Sequence, residues 1–232
     1  MQGRHILLAL STLPIIGVAA GFVVPPVQFE ITRMFIEFNS SAEDIGVQVF
    51  LDGDPWRRVK IVNPNGVRLL EVESLSDFRE LGLTELFFES NEPEIVDLPI
   101  ADFLDKFPAG AYRFSGRSVE GEEVRGTATF THVIPDGPVI LTPGKGEIVD
   151  ENDAVISWEP VADPPGSAIR GYQLIVETGP FAELQMTLSA NTTSVRVPPE
   201  FLHPGRDYKF EVLAIETGGN QTITEGTFST AP

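Results

Sequence analysis

The chain has 232 residues, 34 of them acidic and 16 basic, for a net charge of −18, and it contains no cysteine. That charge repels phosphate backbones and no Lys/Arg stripe offsets it, which excludes nucleic-acid binding. The missing cysteine excludes disulfides, thiolate catalysis, Cys-ligated zinc and an acylated-Cys anchor. A hydrophobic content of 42% argues against global disorder, and the length suits a leader plus two domains of roughly 100 residues each.

Arg4 and His5 precede an apolar stretch over residues 6–24 that carries the small residues Val18, Ala19 and Ala20. A short basic head, an apolar segment and a small-residue site predict a secretory signal peptide over 1–20, cleaved after Ala20. The alternative is an uncleaved anchor, because residues 6–24 just reach spanning length. Both readings make the rest of the chain secreted or periplasmic. It has no stable membrane insertion unless an uncleaved leader tethers it.

Residues 27–134 read as the first domain. Alternating polarity predicts strands at 28–38, 47–51, 59–62, 67–72 and 85–88, and Asn65-Gly66 is a hairpin turn. Residues 77–81 and 100–107 suit one or two helical turns each. Asp52-Gly53-Asp54 reads as a turn after a strand. Trp56 follows it, and is the candidate ligand platform: an exposed indole stacks on a sugar or anchors a protein partner, whereas a buried one is core. Ile134-Pro135-Asp136-Gly137-Pro138 reads as a short, semi-rigid linker.

Residues 138–232 read as the second domain. Strands are predicted over 154–159, 171–176, 184–188, 194–197, 208–214 and 222–224, separated by Gly, Pro, Asn or Asp, which is the spacing of a β-sandwich. Trp158 with Pro160 two residues on resembles the second-strand signature of the fibronectin type III family. Leu202, Pro204-Gly205, Tyr208, Phe210, Val212 and Ala214 resemble its turn into the sixth strand. The resemblance covers about 138–232. It implies that Tyr208 is a tyrosine corner bonding back to the chain upstream, that Trp158 is core, and that Gly218-Gly219-Asn220 turns between the last two strands. The Arg-Gly-Asp tripeptide of some adhesive members is absent.

The first domain echoes the second. Residues 103–114 and 201–210 both run from Phe-Leu through Pro and Gly to Tyr-x-Phe, and Gly126-Thr127 parallels Gly226-Thr227. The predicted fold class is therefore all-β: two tandem Ig-like, fibronectin type III-like sandwiches after a signal segment.

Catalytic equipment is sparse. After the leader only His132 and His203 remain, in different domains, and no Gly-x-Ser-x-Gly marks a nucleophile. Carboxylates abound, but acid–base work needs two across a cleft, and sequence neighbours on a strand point to opposite faces. Asp52 with Asp54, and Asp150-Glu151-Asn152-Asp153, offer oxygens for a hard cation but too few alone, and solvated turns are the competing reading. Asn39, Asn191 and Asn220 begin triplets that fit glycosylation acceptors. The sequence thus predicts no enzyme, no catalytic residue, no metal and no cofactor. It points to an exported binding or scaffold protein whose partner is another protein or a cell-surface polysaccharide. The alternative is a carbohydrate-binding module or an accessory subunit of an extracellular enzyme.

Overall fold

A computed structural model describes residues 25–180 and 182–232; the predicted signal segment lies outside the described residues. The first sandwich contains β1 (Val27–Gln28), β2 (Ile31–Asn39), β3 (Asp44–Val62), β4 (Arg68–Glu73), α1 (Asp77–Leu81), β5 (Leu83–Glu89), α2 (Ile100–Lys106), β6 (Gly110–Ser118) and β7 (Glu123–Phe130). The second contains β8 (Ile140–Thr142), β9 (Glu147–Val149), β10 (Val155–Trp158), β11 (Ile169–Thr178), β12 (Ala182–Ser189), β13 (Ser194–Arg196), β14 (Asp207–Glu216) and β15 (Gln221–Thr230). No helix among the described residues is long and apolar enough to cross a membrane.

Each sandwich closes over its own hydrophobic core, around Trp56, Tyr112, Phe114 and Phe130 in the first and Trp158, Tyr172, Tyr208, Phe210 and Phe228 in the second. Period-two alternation places these side chains. In β14, Tyr208, Phe210, Val212 and Ala214 all point inward and are buried. Burying a large apolar side chain stabilises by roughly 1.5–3 kcal/mol, so the cores substitute for the absent disulfides.

In the second sandwich β10 pairs with β8 and β13 in one layer, while β11, β12, β14 and β15 form the other. The first sandwich repeats this plan with one difference. Periodicity predicts separate strands at 47–51 and 59–62 around a turn at Asp52-Gly53-Asp54. The structure instead runs β3 through both as one 19-residue strand. An irregularity between Asp52 and Trp56 lets its first half pair with β2 and β5 and its second half with β4 and β6. Asp52-Gly53-Asp54 is therefore a bulge where one strand changes layers, the role that bulges have at sandwich corners. A side chain at Gly53 would meet the Phe29 ring at 3.0 Å. The predicted strand at 28–38 also divides, into β1 and β2. The two short helices lie at 77–81 and 100–106, close to the predicted positions.

The echo between the halves is structural. Phe114 pairs with Gly126 and Tyr112 with Ala128 across β6–β7, as Phe210 pairs with Gly226 and Tyr208 with Phe228 across β14–β15. Tyr208 accepts the His203 backbone N–H at 2.8 Å, and Tyr112 donates its hydroxyl to the Pro108 carbonyl at 3.1 Å. Both tyrosines tie a strand to the turn before it.

The sandwiches are joined edge to edge. β15 pairs in parallel with β2, through Gln221 with Glu37, Thr222 with Phe38 and Ile223 with Asn39. Because β3 runs through both layers of the first sandwich, this joins all seven of its strands to one layer of the second in a single 12-stranded sheet. The 134–138 segment packs into the junction: Thr222 Oγ1 donates to the Pro135 carbonyl at 2.6 Å, and Gly137 lies against Ser40 and Thr224.

Candidate functional site

Trp56 is not a ligand platform. It is completely buried in the first core, its Nε1 directed at the Thr84 carbonyl, so neither ring face is open to a sugar or a partner. The bulge that turns β3 between layers carries this indole inward, which a turn reading of Asp54-Pro55 does not foresee. Trp158 is likewise buried, packed edge-on against Tyr172 with ring centroids 5.4 Å apart.

The other sequence candidates scatter. The His132 ring meets the Phe107 carbonyl at 2.7 Å in the first sandwich, and His203 sits in the turn before Tyr208 in the second. Asp150 accepts the Asn152 backbone and side-chain N–H groups, and these bonds hold its carboxyl below its ordinary pKa, as in a self-capped turn. Asn220 is no glycosylation acceptor: it is 1% exposed and its amide is fully engaged in hydrogen bonds.

What the fold assembles is a face across the domain junction. Paired residues on neighbouring strands share a face. The register therefore aligns Glu89, Gln48 and Phe35 of β5, β3 and β2 with Gln221, Ile215 and Leu213 of β15 and β14, then Gln173 and Thr187 of β11 and β12. A groove of about 930 Å³ runs along this face. Its floor on the second sandwich is apolar: Leu213, Ile215 and Ile223 are buried there, with Ile175 packed against them. The sequence carried a signal for this floor. Val212-Leu213-Ala214-Ile215 is an uninterrupted apolar run in a strand that otherwise alternates, the mark of a strand covered on both faces.

Glu37 and Glu89 line the first-sandwich end of the groove, and Glu92 joins them, each of the three offering a carboxylate oxygen within 4.8 Å of the others. Gln48, 3% exposed, donates its amide to Glu37 Oε1 at 3.1 Å and to Glu89 Oε2 at 3.0 Å. Burial pushes Glu92 up to about 7, with the negative charges of Glu89, Glu37, Asp44 and Glu211 adding to the rise. Burial also raises Glu37, against the opposing hydrogen bonds from Gln221 and Gln48. Lys209 is committed elsewhere, to Glu211 at 2.9 Å and Glu225 at 3.1 Å. A glycosidase pair has to flank its scissile bond with carboxyls about 5 Å or more apart. Here two of the three carboxylates grip the same amide nitrogen, which leaves no room for a sugar between them. Sequence reasoning missed this group because its members come from β2, from β5 and from the segment after it.

Comparison with known proteins agrees with the geometry of the second sandwich. Residues 143–230 match the family model described as the fibronectin type III domain. Similar solved structures include a two fibronectin type III domain segment from chicken tenascin, 14% identical, with a TM-score of 0.31, covering 87% of this chain and 98% of that one. The chicken CNTN1 FN1–FN3 domains are 11% identical with a TM-score of 0.38, over 90% of this chain and 65% of that one. A tetra-tandem repeat from the extending region of a large adhesion protein is 12% identical with a TM-score of 0.31, over 86% and 49%. The chain thus spans less than two thirds of the last two. With its three-stranded layer of β8, β10 and β13, its tyrosine corner at Tyr208 and its buried Trp158, the C-terminal sandwich belongs to the fibronectin type III family.

Proposed function

We propose that the chain is an exported, non-catalytic binding or scaffold protein, and that the face across the domain junction is where it meets a protein or cell-surface partner. The observation that carries this reading is the continuity of that face. Seven strands from two sandwiches share one surface, held by the β2–β15 ladder. A scaffold of this kind presents its groove with little ordering cost on binding. Phe87 is 63% exposed at the groove rim, an aromatic anchor of the type that concentrates binding energy. Gln173 and Gln185 add amide donors and acceptors suited to peptide groups. The strongly acidic surface favours a cationic partner. The separation of His132 from His203 supports the non-catalytic reading.

The alternative, a carbohydrate-binding module, loses its aromatic platform with the burial of Trp56 and rests on the groove amides alone. The test is capture of extracellular proteins and glycan-array screening with the wild type and with Phe87→Ser and Gln173→Glu variants. A partner held by wild type and lost by both variants supports the reading. A partner held equally by all three, or turnover on ester, peptide or glycoside panels, overturns it.

A further inference from the structure

We propose that the free edge of β5 is a docking site for an extended cationic segment of a partner protein. The segment adds to the sheet as an extra strand, with a basic, an apolar and a second basic residue at alternate positions. This rests on the binding reading above and adds the partner's chemistry and its mode of attachment. Three observations carry it.

The first is backbone without a partner. β5 closes one end of the seven-strand face and pairs only with β3. Just beyond the Gln48–Glu89 pair of that ladder, Ser90 donates its backbone N–H to the Val47 carbonyl at 2.9 Å. Hydrogen-bonded pairs alternate along an antiparallel ladder. Phe88 and Leu86 therefore turn their backbone groups to Val49 and Leu51, while Glu85, Phe87 and Glu89 turn theirs away from β3. Among the described residues no strand lies on that side. The register runs without a bulge from Glu89 to Glu85, so an added antiparallel strand can exchange up to about six hydrogen bonds with these three residues.

The second is what the same three residues display. Their side chains share the groove face, where Phe87 is 63% exposed and Glu85 and Glu89 are exposed on either side of it. Across the ladder Phe50 stands opposite Phe87 and Asp52 opposite Glu85, so the apolar centre and one acidic flank both continue onto β3. Among the described residues neither Glu85 nor Glu89 is in an ion pair. A residue added opposite each of the three places its Cβ about 5 Å from theirs. Lys or Arg then reaches each glutamate, and an aliphatic or aromatic side chain covers Phe87.

The third is charge, which decides between occupants. If two copies of the chain paired β5 with β5 about Phe87, Glu85 of each would stand directly opposite Glu89 of the other. Like charges in that position destabilise a ladder, and charge on a free strand is a guard against self-pairing. A basic strand meets the reverse situation. It gains an ion pair at each flank, and the net charge of −18 draws it in.

The experiment uses the isotopically labelled chain and the capped peptide Ser-Thr-Lys-Thr-Val-Thr-Lys-Thr-Ser, with amide hydrogen exchange read by NMR. The peptide should slow exchange of the Glu85, Phe87 and Glu89 amides at least about tenfold, and leave those of Leu86 and Phe88, already in the ladder, unchanged. Binding should weaken as salt is raised. The same peptide with Glu in place of both Lys, or N-methylated at Lys and Val, should not bind. Glu85→Gln should weaken binding about threefold, the scale of one exposed ion pair. Glu85→Pro should weaken it at least about tenfold, because it also removes an outward donor while the β3 ladder stays whole; the N-methylated peptide makes the same test without touching the fold. Absence of binding up to about 10 mM peptide, enough to saturate even a millimolar site, overturns the proposal. So does binding that leaves the three amides exchanging as before. Protection that appears without peptide and grows with protein concentration also overturns it, by giving the edge to a second copy. A partner still captured by Glu85→Pro yet lost by Phe87→Ser and Gln173→Glu overturns the edge alone and leaves the groove. A partner lost by none of the three takes the wider reading as well.

Discussion

The side-chain oxygen of Asn220 accepts the backbone N–H of Ile36 at 2.8 Å, a buried bond between the last turn of one sandwich and the β2 strand of the other. The amide nitrogen of Asn220 donates to Thr131 Oγ1 at 2.8 Å and to the Val133 carbonyl at 2.7 Å. Asn220 is itself positioned by the buried Glu216 carboxylate, which accepts its backbone N–H at 2.9 Å and that of Gly218 at 2.6 Å. A three-pair parallel ladder alone would be a weak hinge. This network fixes it, because opening would break the Asn220 bonds to Ile36, Thr131 and Val133 together.

Replacing Asn220 with Asp should therefore loosen the junction. A carboxylate still accepts from Ile36 but cannot donate, and it turns a negative charge toward two oxygen atoms. We predict destabilisation of about 3 kcal/mol by urea unfolding, with a broader distribution of domain separations in small-angle scattering. Unchanged scattering together with unchanged stability would refute the assigned role.

Glu92 should make stability fall as pH rises. Its folded-state pKa is pushed up to about 7 from an ordinary value of 4.5, so in that window the folded chain holds a proton that the unfolded chain has released. Stability is then lost as pH climbs from about 4.5 to about 7 and is level above that. Solvent screening limits the effect to about 1 kcal/mol. Glu92→Gln should flatten this slope; an equally steep slope in the variant would count against burial and the neighbouring negative charges as the cause.

The matched glycines should differ in tolerance. A Cβ at Gly226 would stand 2.2 Å from Phe210 Cζ, inside a fully buried core. Gly226→Ala should cost about 3 kcal/mol by overpacking. At Gly126 the added carbon meets the Thr32 methyl at 2.5 Å and the Phe29 ring at 3.2 Å, and Thr32 is only half-buried. Gly126→Ala should cost about 1 kcal/mol. Chemical denaturation of the two variants side by side checks the order.

Both tryptophans should be silent to soluble quenchers. Trp56 and Trp158 are 0% and 1% exposed, so native protein should show blue-shifted emission and little iodide quenching, with full quenching after unfolding. Strong quenching of the native protein would return Trp56 to the surface.

Six strands of the second sandwich were legible because alternation marks their inward side, and it does so even in β14, whose Leu213 and Ile215 are covered on the other face as well; the short β8 and β9 carry too few residues to alternate. Alternation in 208–214 names the inward residues directly, and Tyr208 announces its own turn. The first sandwich was harder to read. Asp52-Gly53-Asp54 has turn chemistry, yet Gly53 serves close packing on Phe29 inside a strand that changes layers, and local composition does not distinguish the two uses. Trp56 followed the same error: a residue beside an apparent turn is expected near solvent, whereas one beyond a bulge is carried into the core.

Side-chain polarity along each strand was enough to determine that two β-sandwiches form, where their cores lie and that no cysteine chemistry takes part. Periodicity is a local property, and it survives in a single chain read end to end. The face across the junction and the meeting of Glu37, Glu89 and Glu92 were decided by tertiary structure alone. They depend on which edge strand finds which, and on a missing side chain at Gly46 opening space for a residue 46 positions further along. Such pairings are set by long-range packing and by Asn220, none of which leaves a periodic trace in sequence.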